Sequence, residues 1–402
     1  MLTDQSSAVV RATLPAVGAA IEEITGRFYE RLFAAHPELL RDLFNRGNQA
    51  AGTQRRALAG SVAAFATYLV DHPDDRPDVM LHRIAHKHAS LGVRADQYPV
   101  VHEHLFAAIA EVLGDAVTPE VARAWDEVYW LMANALIAIE ERLYAQQGVV
   151  DANVWREWEV VARTEETDDV AAFVLRPADG RPAPGLRPGQ YVSVQVELPD
   201  GARQIRQYSL TGAPSPTTRS IAVKRVRGAA GSPDGEVSRH LHARVGVGDR
   251  LRVSAPYGDL VLAADAAPLL LASAGIGCTP MLAMLEELAG TGHAGPVTVV
   301  HADRSPGTHA LRFAHEALTG KIPSADAHFW YEEPAGGDTG AGAERHVGRV
   351  DLTDVPIAPG TRAYLCGPLP FMRAVREQLL DRGVAAADIH YEVFGPDLWL
   401  AV

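Results

Sequence analysis

The chain has 402 residues, 47% hydrophobic and 22% charged, and a formal net charge of -13. This length gives room for two or three packed domains, and the composition is that of a soluble globular protein. The negative charge argues against nucleic acid or an anionic membrane as the main partner, and two cysteines, Cys278 and Cys366, exclude both a disulfide scaffold and a four-cysteine iron–sulfur cluster. The first twenty residues carry Asp4 and Arg11 and no unbroken apolar core, so no signal peptide is expected. The most apolar run, 128–139, contains Asn134 and is flanked by Glu127 and Glu140, so it reads as a core helix rather than a membrane span. A cytoplasmic location is the expectation.

Residues 2–147 repeat apolar side chains at helical spacing. Val121, Trp125, Val128, Met132, Ala135, Ile139 and Leu143 make one stripe, opened by Thr118-Pro119-Glu120: a hydroxyl cap, a proline at the first helical position and an acid in the first turn. Ile21, Ile24, Phe28 and Leu32 make another, ended by His36-Pro37. A helix over 80–91, terminated by Gly92, carries His82, His86 and His88. His82 and His86 are four apart and read as two solvated histidines on one face rather than a metal pair. His88 lies on another face. On the residues alone, it and the aromatics Tyr29 and Phe44 read as ordinary packed core.

The motifs Phe28-Tyr29-Glu30-Arg31-Leu32-Phe33, His36-Pro37-Glu38-Leu39, Leu43-Phe44-Asn45, Asn48-Gln49, Gln54-Arg55 and Lys87-His88 change that reading. In order and spacing, and on through Gln97-Tyr98, Glu103-His104-Leu105 and Ala133-Asn134, this segment resembles the globin domain of the bacterial flavohaemoglobins. The resemblance implies that His88 is the proximal ligand of haem iron. It implies that Tyr98 and Glu140 hydrogen-bond its far ring nitrogen, making the ligand more electron-donating. Tyr29, Gln54 and Leu58 match the distal positions, with Tyr29 and Gln54 as donors to bound dioxygen, and Phe44 matches the aromatic that wedges the haem.

From Gln146-Gln147-Gly148-Val149-Val150-Asp151 onward the period changes. Segments 158–162, 170–175, 190–196, 220–226 and 251–254 read as short strands, as in a small antiparallel barrel. Arg206-Gln207-Tyr208-Ser209-Leu210 suits a flavin: a guanidinium that can fork onto phosphate, a phenol that can lie against the ring and a hydroxyl at the edge. Alone, it reads first as an amphipathic strand with an exposed Arg and a half-buried Tyr. With Pro188-Gly189-Gln190-Tyr191 before it and Gly235-Glu236-Val237-Ser238 after, it resembles the flavin domain of ferredoxin-reductase-like proteins. That implies Arg206 on the FAD pyrophosphate, Tyr208 stacked on the ring, Ser209 near the reactive nitrogen and Tyr191 beside the cofactor. Gly235, Val237 and Ser238 would then turn backbone N–H groups toward the phosphates. The loop 228–235 is longer than usual for this family.

After 265, strands alternate with helices, the pattern of a parallel sheet. A buried strand over 268–273 runs into Ala274-Gly275-Ile276-Gly277-Cys278-Thr279-Pro280 and a helix over 281–288, a turn in which a backbone can approach a pyrophosphate. Further strands are predicted at 297–302, 327–331 and 363–366. Cys366-Gly367-Pro368 resembles the family's second nucleotide signature, in which Gly367 and Pro368 shape the nicotinamide pocket and Cys366 lines it rather than acting as a nucleophile. His390-Tyr391-Glu392-Val393-Phe394-Gly395-Pro396 resembles the family's end segment, with Phe394 over the flavin face. Arg304 is a candidate for a 2′-phosphate. The family favours NADH.

The expected fold is an all-α globin (1–147), a linker (148–157), an antiparallel β-barrel flavin domain (158–264) and an α/β parallel-sheet nicotinamide domain (265–402). The implied activity is nitric oxide dioxygenation: electrons from NADH or NADPH pass through FAD to haem b iron, and nitric oxide and dioxygen become nitrate. No nucleic acid, transmembrane segment or obligatory protein partner is expected. The alternatives are a haem–flavin reductase acting on dioxygen or hydroperoxides and a haem-based sensor, although no segment remains for a signalling output. An oxygenase reductase with a ferredoxin domain fails on cysteine number.

Overall fold

In the computed structural model, residues 2–228, 233–333 and 343–397 are described. The amino-terminal part is helical: α1 (Asp4–Ala35), α2 (Pro37–Asp42), α3 (Arg46–Ala50), α4 (Thr53–Asp71), α5 (Asp78–Leu91), α6 (Tyr98–Leu113) and α7 (Pro119–Gln147). Its ends follow the sequence signals. Thr118 caps α7 by accepting a hydrogen bond from the Val121 amide, with Pro119 at the first position. Gly92 ends α5 at φ +76°, and a Cβ there would stand 2.8 Å from the Ala152 carbonyl oxygen, so the turn between α5 and α6, packed against the linker, needs glycine on two counts. Ile24, Phe28 and Leu32 of α1 pack with Trp125, Val128, Ile139 and Leu143 of α7 in one core.

Six strands follow: β1 (Arg156–Thr167), β2 (Val170–Pro177), β3 (Tyr191–Glu197), β4 (Arg203–Ser209), β5 (Arg219–Lys224) and β6 (Arg250–Val253), with α8 (Glu236–Arg244) before β6. They pair antiparallel in the order β4-β3-β6-β1-β2-β5, and the bridge between Leu210 and Ile221 draws the two edges together. The interior is filled by alternate residues such as Val160, Phe173, Val194, Ile221 and Val253.

The last part contains β7 (Leu269–Ala274), α9 (Cys278–Thr291), β8 (Val297–Asp303), α10 (Arg312–Thr319), β9 (Ala325–Tyr331), β10 (Glu344–Val347), β11 (Arg362–Cys366), α11 (Leu369–Asp381) and β12 (Ile389–Glu392). Its sheet is parallel, in the order β10-β9-β8-β7-β11-β12. β7 is buried along its whole length, as a central strand covered on both faces must be. Two strands escaped the sequence reading, β10 and β12, each four residues long at a sheet edge. The helix expected at 281 begins three residues earlier, at Cys278, with Pro280 tolerated in its first turn. The long loop 228–235 falls partly outside the described residues. Among the described residues no helix is long and apolar enough to cross a membrane.

Candidate functional site

The last turn of α5 brings His88 beside α6 and α7. Its Nδ1 lies 2.9 Å from Glu140 Oε1 and 3.1 Å from the Tyr98 hydroxyl, which itself donates to Glu140 Oε1 at 2.7 Å. Glu140 is 2% exposed, so a carboxylate buried in an apolar helix bundle is committed to this one imidazole and one phenol. Burial and the Glu140 charge push the Tyr98 phenol well above its usual range, so it stays a donor. With Nδ1 held from behind, the other nitrogen of His88 remains for the cavity in front. An imidazole anchored by a carboxylate on its far side is the arrangement of a metal or haem ligand.

The same cavity is lined by Tyr29 of α1, 3% exposed, its phenol also pushed up by burial. Gln54 and Gln49 lie near its hydroxyl, the Gln49 amide buried without a hydrogen-bond partner. Phe44 meets the Tyr29 ring edge-on at 5.8 Å between centroids. Leu58 also lines this cavity, which sets the Tyr29 hydroxyl and the Gln54 amide within a largely apolar surround.

The cavity has a volume of about 1600 Å³ and does not stop at the helical part. It continues to Tyr191, Arg206, Gln207, Tyr208, Ser209, Gly235 and Ser238. These come together through the β3–β4 register, which sets Tyr191 opposite Ser209, Val192 opposite Tyr208 and Val194 opposite Arg206. The Arg206 guanidinium donates to the Ile205 carbonyl and the Gln204 amide oxygen, and burial lowers its pKa. No carboxylate within ion-pairing distance holds it among the described residues, so it offers a charge for an anion. Gly235 caps α8, where a Cβ would collide with Ser238 Oγ at 2.6 Å. Val237 is fully buried, so only its backbone can serve a ligand, while Ser238 Oγ accepts from the Val226 amide.

The nicotinamide-side candidates form a separate group at the carboxyl ends of β7 and β11, where ligands bind in open parallel sheets. Gly275 turns at φ +53° with open space where a Cβ would stand, whereas a Cβ on Gly277 would lie 2.3 Å from the Cys366 carbonyl oxygen. Cys278 and Cys366 are fully buried. The Cys278 thiol is pushed up to about 12 by burial and points at the Ala310 carbonyl, so neither cysteine side chain is a reactive group, and each can serve only through its backbone. Thr279 Oγ1 donates to the Ile276 carbonyl; Thr279 and Ile276 reach the large cavity, while Pro280 is buried in α9. Gly367 and Pro368 lead from β11 into α11. Phe394, 46% exposed, lines the mouth of the large cavity. Arg304 is exposed at the end of β8.

Three features were not foreseen. His86 is not solvated: it is 5% exposed and its Nδ1 accepts from the Gly258 amide, which ties α5 to the segment after β6. Lys87, beside His88, donates to Gln207 Oε1 and so links α5 to the flavin-side strand. Burial brings its amine down to about 8 and, with help from Asp259, pushes the neighbouring Glu392 carboxyl up to about 8. Arg83 lies between Asp259 and Asp397, with its guanidinium 4.0 Å from the Tyr391 ring. Lys87 and Glu392 lie inside motifs singled out in the sequence, but nothing local marks Asp259.

Three family models match in succession: globin over residues 26–136, oxidoreductase FAD-binding domain over 157–262 and oxidoreductase NAD-binding domain over 271–377. The chain is 45% identical over 406 residues to a flavohaemoprotein of Bordetella pertussis, covering 98% of this chain and 99% of that one. Its structure is similar to that of a flavohaemoglobin from Malassezia yamatoensis with bound FAD and haem, at a TM-score of 0.89 and 39% identity, covering 98% of this chain and 100% of that one. It is also similar to the FAD/NAD-binding domain of a nitric oxide dioxygenase from Vibrio cholerae, at a TM-score of 0.54 and 36% identity, covering 60% of this chain and 99% of that one.

Proposed function

We propose, from the premise that this chain belongs to the flavohaemoglobin family, that this oxidoreductase is a nitric oxide dioxygenase using NADH, FAD and haem b. The observation that carries the reading is the single cavity that joins the His88–Tyr29 chamber to the Arg206–Ser209 strand. The Vibrio cholerae relative, named for the same activity, supports it. When bound, NADH supplies a hydride, FAD divides it into single electrons and haem supplies the iron at which dioxygen and nitric oxide combine to nitrate.

The chain's own residues then have the following work. His88 offers its free ring nitrogen to the iron, while Glu140 and Tyr98 hold Nδ1–H, fix the ring and raise its electron donation. Tyr29, kept protonated by burial, donates a hydrogen bond into the gas-binding space with Gln54 beside it, and Phe44 and Leu58 exclude water. Arg206 takes the FAD pyrophosphate, helped by backbone amides at Gly235, Val237 and Ser238. Tyr208, Ser209, Gln207 and Tyr191 set the ring. Gly275, Gly277, Cys278, Thr279 and Pro280 would present the dinucleotide turn, Cys366, Gly367 and Pro368 would shape the nicotinamide pocket, and Phe394 would border the flavin site. On this reading the haem, flavin and nicotinamide units are 1–147, 158–264 and 265–402, with a linker at 148–157.

The test is NADH-dependent consumption of nitric oxide in air. The expected result is nitrate equal in amount to the nitric oxide removed, with NADH oxidation accelerated by nitric oxide. NADH oxidation indifferent to nitric oxide and yielding no nitrate would leave a reductase acting on dioxygen.

A further inference from the structure

Three histidines meet inside the parallel-sheet part, apart from the cavity assigned above. His301 stands near the end of β8, His309 in the following turn and His315 on α10, with exposures of 0%, 3% and 0%. One ring nitrogen from each falls within 4.8 Å of the others. His301 Nδ1 is held by Ser273 Oγ at 2.8 Å and His309 Nδ1 by the Tyr331 hydroxyl at 2.9 Å. His309 Nε2 and His315 Nδ1 face each other at 3.2 Å. His301 Nε2 and Asp303 Oδ2 are buried without a hydrogen-bond partner and lie 3.7 Å apart.

We propose that His301, His309, His315 and Asp303 form a structural binding site for a divalent transition-metal ion of the zinc type. Three imidazoles and one carboxylate are the donor set of a closed four-coordinate site; the three rings already cluster, and Asp303, outside that cluster and beside His301, must swing in to close it. Bonds of about 2.0–2.1 Å to a tetrahedral ion put neighbouring donor atoms roughly 3.3 Å apart, close to the 3.2 Å and 3.7 Å spacings here. Hydroxyls on the far nitrogens of two rings are the supports that fix a metal-binding imidazole. The other Asp303 oxygen is likewise fixed, by the Arg304 amide and Thr308 Oγ1. A buried carboxylate oxygen and a buried imidazole nitrogen left unpaired both cost free energy, which an ion between them would recover.

Two features of the site constrain it. His301 and His309 stack at 3.8 Å with 20° between their planes, so ion binding must splay these rings until their lone pairs converge. Arg312 and Arg345 act on His309 electrostatically, so the Asp303 charge is needed to make a cation welcome. The ligands come from β8, the turn after it and α10, and an ion would staple that crossover beside the strand ends where a dinucleotide lies.

The experiment uses tag-free, full-length protein with haem and flavin, stripped with chelator, loaded with zinc alone and gel-filtered. Zinc is counted against haem iron, and the zinc K-edge spectrum is recorded. The expected result is one tightly held zinc per chain with imidazole and oxygen neighbours. His315→Asn and Asp303→Asn should weaken zinc binding by about 100-fold or more. His346→Asn, in the separate His328–Glu344–His346 group, should leave it unchanged. Haem and flavin contents check the folding of each variant, and the wild-type spectrum decides alone if a variant fails to fold. Only trace zinc on the wild type, a zinc shell without imidazole, or retention lost in His346→Asn but kept in His315→Asn would overturn the proposal.

Discussion

Tyr29 shows what a single side chain contributes. Its hydroxyl is held in the acid form by burial, so it donates at every working pH. Tyr29→Phe is expected to keep haem and to lose about 10- to 100-fold in nitric oxide consumption per haem, the equivalent of one strong hydrogen bond of about 1.5–3 kcal/mol. Glu392 carries a pH dependence. Its carboxyl sits near 8 in the fold against the ordinary 4.5, so between those values the folded chain keeps a proton that the unfolded chain releases. Its contribution to stability is complete below about 4.5 and declines as pH rises through 8, by at most about 1.4 kcal/mol per pH unit. Glu392→Gln should flatten that decline, as read from unfolding temperature against pH. At this scale the sequence showed which residue types sit at which motif positions and little about pairs. Lys87, Gln207 and Glu392 lie on three distant segments, and no local pattern announces that they converge. His86 was misread for the same reason, because the Gly258 amide that buries it comes from the other end of a long separation.

At the scale of elements, the β7–α9 turn is a junction with no room to spare. A Cβ on Gly277 would meet the carbonyl carbon and oxygen of Cys366 and the Gly367 amide, all at or below 2.8 Å and all backbone. Gly277→Ala must therefore part β7 from β11, at a cost of about 1–3 kcal/mol. The expected outcome in steady-state kinetics is a raised KM for NADH, with haem and flavin contents unchanged. Helices and central strands were legible because their periodicity is long and their caps are conventional: Thr118, Pro119 and Gly92 each stand where the signal put them. The edge strands β10 and β12 were not. Four residues with mixed exposure give period-2 alternation too little length to register, and edge strands are kept short and polar.

At the scale of the molecule, the three parts work together only if their seams hold. Arg46 of α3 bonds Asp200 and Glu236 across one seam. Arg83 bonds Asp259 and Asp397 across another, with side-chain exposures of 17%, 20% and 19%. Arg83→Ala would leave two acids crowded without their cation, weakening the docking by of order 3 kcal/mol. In stopped-flow measurements, flavin reduction by NADH should stay near wild type while electron transfer from flavin to haem slows. The order of helical part, antiparallel sheet and parallel sheet was legible from the change in hydrophobic period. The seams were not, since they are made by charged side chains that read in isolation as solvated surface.

The most direct measurement is the absorption spectrum of the purified protein before and after anaerobic NADH. An electron path through one continuous cavity requires the flavin band to bleach and the haem Soret band to shift to its ferrous position in the same sample. A flavin that bleaches beside a haem that stays ferric would contradict it.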